Sequence, residues 1–165
     1  MTDLRFPLNG YHLEEAGDSG NDYLLRTVEE SVIGSVPEDE AAASHLWMDD
    51  ILTVIFEVRE NGGMENELYI LKDDNEEQAG LLWMGVSRDQ FTCDETGYVL
   101  QIYVEERLRR RGLGKALMRS AEEWCRKKGL FSMTLNVGSV NKAADRLYRS
   151  AGLGPRTIVM HKRLV

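Results

Sequence analysis

The stretch Arg109-Arg110-Arg111-Gly112-Leu113-Gly114-Lys115-Ala116-Leu117 sets cations and glycines at what reads as the start of a helix. The first turn of a helix leaves its N–H groups unpaired. A Ser, Thr, Asp or Asn side chain usually takes one of them, for about 1 kcal/mol. None stands here. The helix dipole is already positive at that end, so each added cation costs roughly 0.3–1 kcal/mol in the absence of an anion. A phosphate or pyrophosphate reverses that sign and satisfies the amides, and glycine lets it come close to the backbone. The stretch therefore predicts an anion site in which the ligand is the missing cap. A P-loop is excluded, because Arg109 and Ala116 stand where that motif needs Gly and Ser or Thr. A dinucleotide fingerprint is excluded too. Leu117 replaces its third small residue, and no first βαβ unit precedes it. The competing reading is a basic helix start that faces water and binds nothing.

The elements that must position this loop follow from periodicity. Residues 112–128 carry a helical stripe of Leu113, Leu117, Ala121 and Trp124, stopped by Gly129. The run GYVLQIYVE (97–105) before it is a strong strand. A hairpin is predicted from ELYILK (67–72) and QAGLLWMGV (78–86) around the polar turn DDNEE. Beyond the helix, FSMTLNV (131–137) reads as a strand and 141–150 as a helix, with Asn141 as N-cap and Gly152 past its end. Residues 157–165 read as a closing strand. In the N-terminal part, 14–22 read as a loop, followed by a helix to Ile33 that ends near Gly34 and Pro37. A second helix runs from about Asp39 into Val54, its end blurred by the β-rich ILTVIFEV (51–58), and ENGG (60–63) is a break. The order implies one α/β domain on a mixed sheet.

Composition narrows the class. At 165 residues and 42% hydrophobic content the chain suits one domain with a real core. No run of 18 apolar residues exists, so no membrane-spanning helix is expected. The N-terminus lacks the order of a signal peptide, and the cytoplasm is the expected location. Cys93 and Cys125 match no zinc or redox spacing and read as small buried hydrophobes. His12, His45 and His161 are too scattered for a metal site, so none is expected. Trp47, Trp83 and Trp124 read as core, with Trp83 alternatively flooring a substrate pocket. A net charge of −8 argues against a general nucleic-acid binder. Residues 1–100 carry 5 Lys+Arg against 23 Asp+Glu, a balance of −18, whereas 101–165 carry 15 against 5, or +10. One face suited to an anion and another suited to a cation are expected.

The loop and its preceding strand resemble the signature of the GNAT superfamily of acetyl-CoA-dependent N-acetyltransferases. The family pattern Gln/Arg-x-x-Gly-x-Gly/Ala is met by Arg109, Gly112 and Gly114, after apolar Leu100, Ile102 and Val104. The stretch TLNVGSVNKAADRLYRSAGL (134–153) resembles the family's L-x-V…N-x-x-A-x-x-L-Y-x-x-x-G-F ending through Asn141, Ala144, Leu147, Tyr148 and Gly152, with Leu153 in place of Phe. The terminal VMHKRL suits the family's last strand. The resemblance covers roughly 67–165. It implies a mostly antiparallel mixed sheet, flanked by helices and splayed between its fourth and fifth strands, 97–105 and 131–137. Pantetheine would pair with the backbone of Ile102 and Val104. The pyrophosphate would meet the amides of Arg110, Arg111, Gly112, Leu113, Gly114 and Lys115 after Arg109, with Asn141 and Tyr148 near the cofactor. Relatives that pair through edge strands imply a possible homodimer.

Acetyl transfer to an amine needs a neutral amine, and deprotonating one of pKa ~10.4 near neutral pH costs about 4 kcal/mol. A base or a water chain must take that proton, donors must meet the developing oxyanion, and the CoA thiolate needs a proton. By family match Tyr148 is the candidate for that last role. The Glu that some relatives carry directly after the L of L-x-V is replaced by Asn136, which cannot take a proton. Glu105, Glu95, Tyr98 and water remain as candidate bases. The leading expectation is an N-acetyltransferase acting on a primary amine such as a polyamine, an amino sugar, a lysine side chain or an N-terminus. A non-catalytic acyl-CoA-binding sensor and a phosphate- or nucleic-acid-binding domain are the alternatives.

Overall fold

The computed structural model describes residues 2–17, 19–60, 64–162 and 164, with only the backbone of Ser19 and Glu60. The elements run β1 (Tyr11–Glu15), α1 (Ser19–Ile33), α2 (Glu38–Ala42), α3 (Met48–Glu60), β2 (Asn66–Asp73), β3 (Gln78–Arg88), β4 (Glu95–Val104), α4 (Leu113–Lys127), β5 (Met133–Leu135) and α5 (Lys142–Ser150). Short 3₁₀ turns at Ser44–Leu46 and Glu106–Leu108 lead into α3 and toward α4. The sheet order is β1-β2-β3-β4-β5, antiparallel except for the parallel pair of β4 and β5. The expected α/β architecture on a mixed, mostly antiparallel sheet is what the chain adopts.

Two apolar layers sandwich the sheet. On one face the α4 stripe of Leu113, Leu117, Ala121 and Trp124 packs on Tyr69, Leu71, Leu82, Met84 and Val99. On the other, Tyr23, Leu24 and Val28 of α1 pack on Leu68, Ile70, Leu81, Trp83 and Tyr103. Each fully buried large side chain contributes roughly 1.5–3 kcal/mol. Trp83 and Trp124 both belong to this core, which leaves Trp83 no place in a pocket floor.

Several elements depart from the expectation. The loop expected over 14–22 begins inside an edge strand: β1 pairs antiparallel with β2, from Tyr11 opposite Asp73 to Glu15 opposite Tyr69. The helix expected over 39–54 is broken into α2, a 3₁₀ turn and α3. The β-rich ILTVIFEV is helical because Ile51, Leu52, Ile55 and Val58 recur at helical spacing on the face packed against the second core layer, while Val54 and Phe56 face outward. Residues 61–63 of the ENGG break lie outside the described residues. β5 is three residues long rather than seven. The closing strand expected from Thr157 onward is absent among the described residues. A strand needs a neighbour to take its ladder, and none is paired with that segment. Cys125 is buried, but Cys93 is exposed on the turn between β3 and β4, contrary to the reading of both as core.

Candidate active site

The site is built on the C-terminal half of β4. Its register against β3 skips one residue, from Met84 opposite Val99 to Trp83 opposite Gln101, leaving Leu100 as a bulge. β5 pairs only with the first half, Gly97 opposite Met133 through Val99 opposite Leu135. From Leu100 on, β4 leaves β5, which is the expected splay. Past the bulge the ladder with β3 continues, with Tyr103 opposite Leu81 and the Glu105 amide donating to the Ala79 carbonyl at 3.0 Å. In an antiparallel pair the bonded residues alternate. Tyr103 and Glu105 therefore spend their backbone on β3, and the backbone groups of Ile102 and Val104 face the splay.

The splay edge is not wholly open. The Arg109 Nε donates to the Val104 carbonyl at 2.9 Å, so Val104 offers its N–H alone, while Ile102 keeps both groups. The same guanidinium donates to Glu30 of α1 at 2.7 Å and lies 5.5 Å from the centre of the Tyr103 ring. The Tyr103 hydroxyl donates to the other Glu30 oxygen at 2.6 Å. That hydrogen bond, outweighing burial and joined by Arg109, holds the Glu30 carboxyl below the usual carboxylate range. Since the Arg109 amide also donates to the Glu106 carbonyl, the signature arginine is a strut of the loop. It is not a free cation at its mouth.

Beyond Arg109 the chain turns sharply. Arg110 and Gly112 have positive φ, +65° and +85°. Gly112 takes the N-cap position of α4 with no side-chain cap, and a Cβ there would meet nothing within 4 Å. The amides of residues 110–115 have no acceptor among the described residues, the first helical bond being from Ala116 to the Gly112 carbonyl. Gly114 is small for a different reason than the sequence suggested: a Cβ there would lie 3.1 Å from Leu147 Cδ2. Its lack of a side chain lets α5 approach α4. The groove beside the loop is lined by Arg110, Ala143, Arg146, Leu147 and Ser150. Arg146 is a cation that the motif reading missed and that only the packing of α5 brings to the loop.

Tyr148, on α5, is half-buried, and its hydroxyl makes no hydrogen bond among the described residues. Burial pushes its pKa up, so it stays protonated. Asn141 makes two contacts within the fold. Its Oδ1 caps α5 by accepting from the Ala144 amide at 3.0 Å, and its Nδ2 donates to Ser35 Oγ at 3.3 Å. Just before it, Gly138 meets the end of α1 so closely that a Cβ would fall 1.9 Å from the Ser35 carbonyl oxygen. The loop after β5 thus touches the turn after α1 backbone to backbone. Gln101, unnoticed in the apolar run of β4, is buried and donates to Thr27 Oγ1 at 3.2 Å and Ser31 Oγ at 3.3 Å. A lone polar residue inside VLQIYV was the available signal.

The candidate bases fare unequally. Glu105 accepts from the Tyr23 hydroxyl at 2.9 Å and from Arg26 at 3.0 Å, which ties its charge to α1. Glu95 is exposed and 3.9 Å from Arg88. Burial pushes the Tyr98 pKa up, which keeps it protonated. Away from the loop, His12, Glu14 and Glu76 cluster, and the Lys72 ammonium bonds Glu14 and lies 3.5 Å from Glu76.

A free strand edge splayed from its neighbour thus leads into uncapped amides at a helix start. Residues 21–153 match the model of the acetyltransferase (GNAT) family, and the chain belongs to that family. No curated protein matches the sequence. Among solved structures, a Pyrococcus furiosus protein named as a candidate acetyl transferase is 23% identical with a TM-score of 0.75, over 93% of this chain and 99% of that one. Aminoglycoside N-acetyltransferase AAC(6')-Iy, in complex with a CoA-containing bisubstrate analogue, is 18% identical with a TM-score of 0.62, over 93% and 99%. Glucosamine-6-phosphate N-acetyltransferase of Arabidopsis thaliana is 19% identical with a TM-score of 0.58, over 94% and 99%. At these identities the likeness is one of fold. No helix of the described residues is long and apolar enough to cross a membrane.

Proposed function

We propose that this acetyltransferase moves the acetyl group of acetyl-CoA to a primary amine, with a cationic small molecule or a lysine side chain as the favoured acceptor. The observation that carries the reading is the continuity of two unsatisfied backbone surfaces. The splay-facing groups of Ile102 and the Val104 N–H lead directly into the bare amides of residues 110–115. The first fits the amide groups of pantetheine and the second fits a diphosphate. The open space at Gly112 accommodates phosphate oxygens against the backbone. Arg110, Arg111, Lys115 and Arg146 supply the charge for CoA's phosphates, and Arg109 holds the loop in shape. Acetyl-CoA supplies an activated thioester.

Tyr148 is the proton donor in this reading. A protonated phenol with a free hydroxyl suits a leaving thiolate, since a phenol of pKa ~10 donates to a thiolate of pKa ~8.5 without full transfer. Glu105 is committed to Arg26 and Tyr23, so the ammonium proton leaves through water. The −18 balance of residues 1–100 favours a cationic acceptor.

The test is a thermal-shift titration followed by thiol release over a panel of amines. Acetyl-CoA at 100 times its dissociation constant is expected to stabilise the fold by about 2.7 kcal/mol, and polyamines or amino sugars to release thiol. Stabilisation without release from any amine would leave a CoA-binding module. No stabilisation would remove the cofactor reading.

A further inference from the structure

The outer face of α3 carries apolar side chains that the core does not use. Ile51, Leu52, Ile55 and Val58 turn inward onto the second core layer. Helical spacing then puts Asp50, Thr53, Val54, Phe56 and Glu57 on the opposite side. Val54 and Phe56 are 55% and 50% exposed there, and Leu46, in the turn before the helix, is 73% exposed. Single exposed apolar residues are ordinary. Here Val54 and Phe56 flank a ridge of Asp50, Thr53 and Glu57, so whatever covers the apolar pair must also meet the acids.

The charge around that pair has one sign. Residues 27–58 hold 8 Asp+Glu and no Lys or Arg. Near the cleft and under α4 the carboxylates are matched, Glu30 by Arg109, Glu105 by Arg26 and Glu67 by Lys128. Asp49, Asp50 and Glu57 form no ion pair among the described residues. The segment that carries this face also starts at the rim of the splay. Glu30 holds Arg109, and just past α1 Ser35 meets Gly138 and Asn141 beside β5.

We propose that the outer face of α3 docks a basic polypeptide segment with apolar side chains among its cations. The charge fixes the sign of the occupant, and the apolar side chains fix its class. A polyamine or an amino sugar brings cations but nothing to cover Leu46, Val54 and Phe56. Nucleic acid and acidic lipid headgroups are repelled by the carboxylates. A chain with Lys or Arg between apolar residues meets both demands, through complementary charge and apolar contact. The inference deepens the acceptor reading above and rests on it for one step. The docked segment presents a lysine of its own to the splay at a high effective concentration, so the acceptor is a protein lysine and α3 holds the residues around it.

The probes are a synthetic peptide of mixed Lys and Leu, its counterpart with Ser in place of Leu, and spermidine. With acetyl-CoA saturating, thiol release should give the Lys/Leu peptide a KM about tenfold below that of the Lys/Ser peptide. The double variant Val54→Gln, Phe56→Gln should remove that advantage and leave the KM for spermidine and for acetyl-CoA within about twofold. Asp50→Asn with Glu57→Gln should weaken both peptides. Without acetyl-CoA, the Lys/Leu peptide should bind by fluorescence anisotropy, more weakly as salt rises, and should shift the amide resonances of 46–57. Equal KM for the two peptides, full peptide affinity in both double variants, or resonance shifts elsewhere overturns the proposal. So does self-association of the wild type through 46–57 in light scattering, which would give this face to a second copy. A peptide bound at 46–57 with no thiol released from any amine keeps the docking surface and overturns the acceptor reading. Thiol released from spermidine with no peptide bound does the reverse. Should one double variant fail to fold, the other variant and the wild-type readings decide.

Discussion

The Arg109 guanidinium and the Glu30 carboxylate lie 2.7 Å apart, joining α1 to the loop that leads into α4. The contact fixes the one arginine of the basic run that also closes the Val104 carbonyl. The loop before α4 and the first helix are thereby mechanically linked.

If that link shapes the diphosphate loop, Glu30→Gln should raise the KM for acetyl-CoA roughly two- to fivefold, the size an exposed pair of up to about 1 kcal/mol allows. The kcat should hold within a factor of about two, because no reacting group is touched. Arg109→Lys should be worse, since lysine cannot hold Glu30 and the Val104 carbonyl with one planar group. Steady-state kinetics with acetyl-CoA as the varied substrate checks both. Unchanged KM in the Glu30 variant would make the pair incidental.

Tyr148→Phe removes a hydroxyl that bonds to nothing among the described residues, so the fold should tolerate it. Turnover is expected to fall by about 10²-fold, the lower end for loss of a positioned acid, with acetyl-CoA affinity by calorimetry unaltered. Retained turnover would take Tyr148 out of the chemistry.

Two glycines should respond in opposite ways. At Gly138 a methyl group would overlap the Ser35 carbonyl. Gly138→Ala must push the turn after α1 off the loop after β5, at about 1–3 kcal/mol as for other overpacked contacts. At Gly112 the space is open but φ is +85°. Gly112→Ala should cost only about 1–2 kcal/mol of left-handed strain, and should weaken CoA more than it weakens the fold. Chemical denaturation alongside CoA titration separates the cases.

Acid should loosen the α4 face first. Glu67 is buried, which raises its pKa, but donors led by Lys128, with Tyr69, Trp124 and Thr2, overcome this and bring it to about 2. A carboxyl depressed in the folded state stabilises above its unfolded pKa. That stability is complete above about pH 4.5 and drains away as pH falls toward about 2. Glu67→Gln should therefore flatten the decline between those values and cost about 1–3 kcal/mol at neutral pH, because Tyr69, Trp124 and Lys128 lose a charged acceptor while Lys128 keeps its pair with Glu65. Urea unfolding at stepped pH measures both.

The periodicity of the hairpin, of β4 and of α4 was legible because their apolar residues recur at intervals that only one conformation can bury. The uncapped helix start was equally local: bare amides and a missing cap are properties of neighbours in sequence. β1 was hidden because its acidic residues mask the alternation of an edge strand. The helical state of ILTVIFEV was hidden because burial against Leu68 and Trp83, contributed from elsewhere in the chain, overrode local preference. The same limit applies to the site. That Arg109 serves as a strut, that Glu105 is spent on Arg26, that Gly114 makes room for Leu147 and that Arg146 joins the loop are contacts between residues 33 to 79 positions apart. Sequence by itself set the uncapped loop and the run from the hairpin through α4. Tertiary structure alone decided which cations and carboxylates stay free to act, because a charge's availability depends on what folding brings within about 3 Å of it.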